Sequence, residues 1–193
     1  MRELQKLPQW RLGSFASPRD VLRMLRRPIQ GMTTPQMFVK VAGVWTAAHE
    51  ENNRFRSLNI SHGPGENEWG AIDGVHRVRL RERIRAEFGV DIYASEGKWI
   101  PTLAFCLRHR IPVMHGRQRA GEIVALGTGC VHWVFARGAA VNSAWNFGDR
   151  SAALFRAAFE RDDENHRIGF QSLVPMYTLA LDIALREGAV AAG

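Results

Sequence analysis

Within residues 36–69, QMFVKVAGVWTAAHEENNRFRSLNISHGPGENEW, the triplet His49-Glu50-Glu51 limits what this chain can become. Apolar residues are dense and partly β-branched over 36–44, which predicts a strand leading toward it. On extended backbone, side chains alternate between faces, so His49 and Glu51 point one way and Glu50 the other. A His and a carboxylate on one face supply part of a metal site. His-x-Glu pairs also arise by chance, and most of the seven histidines of such a chain would be surface or satisfied core residues. A zinc helix of the His-Glu-x-x-His kind is excluded, because Asn53 stands where its second His is needed.

A second histidine lies in a matching apolar context, Gly129-Cys130-Val131-His132-Trp133-Val134. Two His and one carboxylate on one face of a metal, with the other positions open, make the facial triad of non-haem Fe(II) oxygenases. The rest of the pattern predicts strands in the middle and helices at both ends. Residues 54–60 read as a second strand, which puts Ser57 and Asn59 on the face of Glu51 if the backbone runs unbroken. A turn follows at His62-Gly63-Pro64-Gly65, and further strands are expected at 112–114, 122–126, 132–135 and 141–147, the last two joined across Arg137-Gly138. Ser17-Pro18-Arg19-Asp20 reads as a capping box with Ser17 as N-cap, opening a short helix VLRMLRR that stops before Pro28 and packs on the outside of a sheet. Helices are also expected over 75–88, ended by Gly89, over 101–110, and as a closing pair over 151–161 and 172–187. The fold class this implies is mainly β with flanking helices, a jelly roll with helical wrapping.

The blocks PQMFVKVAG, HEENNRFRSLNI, GPGENEW, GCVHWV and VNSAWNFG, in that order, resemble the JmjC domain of the UTX/UTY group of histone lysine demethylases. The likeness begins at Glu3-Leu4-Gln5-Lys6-Leu7-Pro8 and ends near Ser172-Leu173-Val174-Pro175-Met176, almost the whole chain. It implies a cupin-like double-stranded β-helix of JmjC type, with a helical wrap over about 1–34, a jelly-roll core over about 35–148 and C-terminal helices over about 149–188 of one domain. His49, Glu51 and His132 stand at the family's iron ligands, and Lys40, Thr46, Ser57, Asn59 and Asn142 at positions that serve 2-oxoglutarate. Lysine is scarce here, with only Lys6, Lys40 and Lys98, and one of the three occupies the slot for the far carboxylate. Trp145 and Asn146 would support the site from behind.

The activity implied is oxidative demethylation of methyl-lysine, activating O₂ with Fe(II) and 2-oxoglutarate and releasing formaldehyde, succinate and CO₂. The partner implied is a methylated protein tail, histone H3 in the family. Two features depart from the pattern. Phe38 replaces the tyrosine that lines the family's methyl-lysine pocket, keeping an aromatic wall without the hydroxyl, and the family's cysteine-rich zinc module is not expected within these 193 residues. A protein hydroxylase with the same iron site is the second reading, and an inactive cupin-like scaffold on chromatin the third.

Composition bounds the rest. At 193 residues and 46% hydrophobic, one full core is expected. Cys106 and Cys130 match no zinc pattern, so neither a disulfide framework nor a cysteine zinc site is expected. No apolar run is long enough to span a bilayer and no membrane partner is expected; the expected location is the nucleus in a eukaryote and the cytoplasm otherwise. The net charge of +7 favours an anionic partner, and Arg77, Arg79, Arg81, Arg83 and Arg85 mark one helix for contact with nucleosomal DNA. A solvated arginine face is the plainer explanation of that run.

Overall fold

Eight antiparallel strands make two four-stranded sheets in the computed structural model, which describes residues 20–92 and 99–191. The strands are β1 (Gln36–Lys40), β2 (Trp45–His49), β3 (Arg56–Pro64), β4 (Asn67–Ile72), β5 (Met114–Gln118), β6 (Ile123–Leu126), β7 (Val131–Ala136) and β8 (Ala140–Phe147). One sheet has the order β1-β8-β3-β6 and the other β2-β7-β4-β5. The pairs β1·β8, β2·β7, β3·β6 and β4·β5 are nested about the β4–β5 connection. The chain is therefore one long hairpin rolled into a jelly roll, as the strand pattern predicts.

The connection between β4 and β5 carries α1 (Arg77–Phe88) and α2 (Leu103–Arg108). Asp73 caps the turn that leads into α1 by accepting from the Val75 amide, and Gly89, at φ 65°, ends the helix where a left-handed residue is needed. Leu80 and Ile84 of α1 and Phe105 and Cys106 of α2 bury against Ala48, Ile72, Val131 and Trp133, on the outer face of the second sheet. After β8, Ser151 caps α3 (Ala152–Arg167), and α4 (Met176–Ala191) follows. These two helices bury Leu154, Ala158, Met176 and Leu179 with Val21, Leu22 and Phe55. Both cysteines are buried and unpaired. Among the described residues no helix is long and apolar enough to cross a membrane.

Several local expectations are corrected. The helix expected after Asp20 is a single 3-10 turn, Val21–Met24, and Asp20 itself caps it by accepting from the Leu22 and Gly148 amides. Leu25 is already extended, and Val21 and Leu22 pack among α3 and α4 side chains rather than on a sheet. Ser17 and the Glu3-to-Pro8 segment lie outside the described residues. The first strand stops at Lys40, because the chain turns at Gly43 with φ 86° and restarts as β2 in the other sheet. The next strand begins at Arg56, two residues late, and runs on through the expected turn to Pro64. β4 is an additional strand. The strands flanking Arg137-Gly138 are consecutive but belong to different sheets.

Alternation along β7 sets the inside and the outside of the barrel. Val131 and Trp133 face the helices, while His132 and Val134 face the interior with Ala71 and Trp69 opposite them. Trp133 lies directly across from Gly70, and a Cβ there would sit 2.1 Å from its indole. The ring is packed under α1 and α2 and has no room to move, so Gly70→Ala is expected to cost about 1–3 kcal/mol. Urea denaturation of the two proteins checks this: a lower midpoint with an unchanged slope is the expected result.

Candidate metal and cosubstrate site

His49 ends β2 directly opposite His132 on β7, with a register shift between Thr46 and His49. Irregularities of this kind re-aim side chains, and here the two imidazoles meet with ring centroids 4.1 Å apart. Glu51, two residues further on and still extended, turns its carboxylate to the same point, with Oε1 3.6 Å from His132 Nε2. One ligand atom from each of the three lies within 4.8 Å of the others, a set that could hold a metal ion. The donors are right for Fe(II): two imidazole nitrogens and one hard carboxylate on one face, with the opposite side open.

The surroundings prepare those atoms. His49 Nδ1 is 2.8 Å from the Ala47 carbonyl and His132 Nδ1 3.4 Å from that of Cys130, so each ring can donate through Nδ1 and leave the Nε2 lone pair for a metal. Burial and the neighbouring His49 push the His132 pKa down to about 4, which keeps its ring neutral near pH 7. Trp69 stacks on the His132 ring. Glu51 Oε2 accepts a 3.0 Å hydrogen bond from Asn146 Nδ2, which also donates to the Arg56 carbonyl. Burial pushes the nearby Cys130 thiol up to about 12, so it stays protonated.

The three residues open into a cavity of about 150 Å³ inside the barrel. This is below the size usual for drug-like ligands and suits a small metabolite. Lys40, Thr46, Ser57 and Asn59 line it with the triad, and Phe38 forms part of its wall. Lys40 Nζ donates to Thr46 Oγ1 at 2.9 Å, and burial lowers the pKa of the amine. A half-buried cation whose hydrogen bond goes to a neutral hydroxyl is prepared for an incoming carboxylate.

Asn142 sits behind this cavity rather than in its wall. Its amide donates to Asn59 Oδ1 at 2.7 Å and to Gln118 Oε1 at 3.1 Å, and its oxygen accepts from Asn67. Gln118 in turn donates to Asn59 and accepts from Trp69 Nε1. Asn67, Gln118 and Trp69 thus tie Asn59 and the His132 ring to one amide network, and sequence reading missed all three roles. Asn67 and Trp69 sit on β4 and Gln118 on β5, far from Asn59 and Asn142 in sequence, so only the fold brings them together.

Glu50 leaves the site, as alternation requires. It is buried and accepts from Arg54 Nε at 3.0 Å. Between them the chain makes a 3-10 turn, Asn52–Arg54, in which Asn53 and Arg54 have φ of 49° and 58°. Two consecutive left-handed residues other than glycine cost on the order of 1–3 kcal/mol each. The unbroken strand that would align Glu51 with Ser57 and Asn59 is therefore interrupted, yet all three still face the same cavity.

The arginine run on α1 is largely engaged within the molecule. Arg77 bonds Glu160, Arg81 bonds Asp91 and Glu164, and Arg85 bonds Asp91. These three recur at four-residue steps and face acids of α3 and of the segment after α1, while Arg79 and Arg83 are exposed.

Residues 36–147 match the family described as "JmjC domain, hydroxylase". The chain is 36% identical over 184 residues to the human protein Lysine-specific demethylase 6B, covering 95% of this chain and 11% of that one. It is 32% identical over 184 residues to Lysine-specific demethylase jmjd-3.1 of Caenorhabditis elegans, covering 95% and 17%. Lysine-specific demethylase JMJ705 of Oryza sativa subsp. japonica is 25% identical over 185 residues, at 91% and 14%. The chain thus spans between a tenth and a fifth of the length of these relatives.

Proposed function

Because this chain belongs to the JmjC family, we propose that it is an Fe(II)- and 2-oxoglutarate-dependent dioxygenase that demethylates methyl-lysine on a protein tail, with histone H3 as the substrate. The observation that carries this reading is the convergence of His49, Glu51 and His132 beside Lys40 in one small cavity. The demethylase names of its relatives support the substrate class.

Iron and 2-oxoglutarate, when bound, would supply the electrons that reduce O₂, with the cosubstrate oxidised to succinate and CO₂, and O₂ would be the oxidant of the methyl group. The residues of the chain bind and orient. His49, Glu51 and His132 would hold the metal by three positions and leave the others for cosubstrate and oxygen. Lys40 would pair with the far carboxylate of 2-oxoglutarate while Thr46, Ser57 and Asn59 hydrogen-bond around it. Asn59 is held in that role by Asn142 and Gln118, and the Glu51 carboxylate by Asn146. Phe38, at the wall of the cavity, would give the methylammonium an aromatic face without a hydroxyl. Arg79 and Arg83, exposed on α1, would be available to nucleosomal DNA, and a nuclear location goes with a histone substrate.

Purified protein supplied with Fe(II), 2-oxoglutarate and methylated H3 peptides is expected to release succinate and formaldehyde together, and His49→Ala to release neither. The family description as a hydroxylase keeps one second reading in view. Succinate with an oxygenated peptide and no formaldehyde would favour it.

A further inference from the structure

Glu51 is the one triad member without a strand of its own: β2 ends at His49, and the chain turns sharply at Asn52–Arg54. From this turn we infer that Arg54, through its pair with Glu50, is a positioning residue that fixes Glu51 for metal binding. The inference rests on the proposed metal role of Glu51.

Glu50 and Arg54 flank the ligand, one residue before it and three after. Their side chains meet at 3.0 Å, so the backbone from 50 to 54 and the two side chains form a closed ring with Glu51 in it. Both side chains are almost wholly buried. The ring is fastened to the body of the protein at several points. Arg54 Nη2 donates to Glu164 at 2.8 Å, and Nη1 lies 3.4 Å from both Glu160 and the Ala157 carbonyl, all on α3. The Arg54 amide donates to the Glu51 carbonyl at 2.9 Å, and the Arg54 carbonyl accepts from Gly129, three residues before His132. The guanidinium thus joins the turn to α3, and its backbone joins the turn to Gly129, in the loop that leads into the strand of the other histidine.

The alternative is a merely structural pair between turn and helix. The backbone separates the two. An arginine at φ 58° gains nothing from its own conformation, whereas glycine or asparagine would adopt it freely. Arginine's planar fork reaches three carboxylates and a carbonyl at once, which the point charge of lysine cannot do. The pair therefore sets where the turn lies, and with it where the Glu51 carboxylate points.

The test is Co(II) binding to the purified chain, followed by its visible spectrum, for the wild type, Arg54→Lys and Glu50→Gln, with the thermal melting of each metal-free protein measured alongside. Both variants are expected to weaken Co(II) about 10–100-fold, as loss of an outer partner of a metal ligand does, by a factor that does not follow the change in melting temperature. Wild-type affinity within twofold in both variants, with melting lowered, would overturn the inference and leave a structural pair. Should Arg54→Lys not fold, Glu50→Gln decides by the same criterion, since it keeps the shape of the side chain and leaves Arg54 its contacts on α3. Wild-type protein that binds no Co(II), or binds it equally well as His49→Ala, would instead overturn the metal reading itself.

Discussion

His132→Ala is expected to abolish metal binding and to lower turnover by more than about 10³-fold, or roughly 4 kcal/mol. The imidazole is 3% exposed, stacked on Trp69 and kept neutral by burial, so it offers a lone pair at neutral pH with no proton to lose first. Its removal leaves His49 and Glu51, both from the same three-residue segment, with nothing from the facing strand. Two donors on one side do not fix a metal against water. The check is thermal: metal at a hundredfold excess over Kd should stabilise the wild type by about 2.7 kcal/mol and the variant not at all. Equal stabilisation of both would place the metal elsewhere.

Lys40→Met should act on the cosubstrate and spare the metal. The amine is desolvated and, among the described residues, donates to a neutral hydroxyl, that of Thr46, so an arriving carboxylate would gain a charge-assisted hydrogen bond at little rearrangement. Hydrogen bonds to charged groups contribute about 1.5–3 kcal/mol. The KM for 2-oxoglutarate should therefore rise about 10–150-fold with a smaller change in kcat, while Co(II) affinity in the absence of cosubstrate stays as it was. A 2-oxo acid without the far carboxylate should be used poorly by the wild type and no worse by the variant. If the KM is unchanged, Lys40 does not hold the carboxylate.

The contrast between these residues and the rest explains what could be read from the chain. His49 and Glu51 are two apart on extended backbone, so their convergence follows from alternation alone. Lys40 stood out by scarcity. His132 needed the resemblance, since nothing local says which strand faces which. The helix over 77–88 was legible from Leu80 and Ile84 at a four-residue step, and its end from Gly89. β4 was not, because NEWGAI has β-branched character only at its last residue; its strand state comes from pairing on both sides, with β5 and β7. Asn67 and Gln118 escaped for the same reason, as their hydrogen bonds cross between strands far apart in sequence. The arginine run did carry a readable signal. Glu160 and Glu164 on α3 repeat the four-residue step of Arg77 and Arg81, and matching the two stripes would have shown internal pairing before any contact with a polyanion.

The most direct measurement of the central claim is an anaerobic visible-absorption titration. Fe(II) and 2-oxoglutarate bound together at one site give a charge-transfer band that neither gives alone. The wild type should develop this band at one equivalent of each, His49→Ala should not develop it, and Lys40→Met should need a much higher concentration of 2-oxoglutarate. Absence of the band in folded wild-type protein, or its persistence in His49→Ala, would contradict the assignment of this cavity as an Fe(II) and 2-oxoglutarate site.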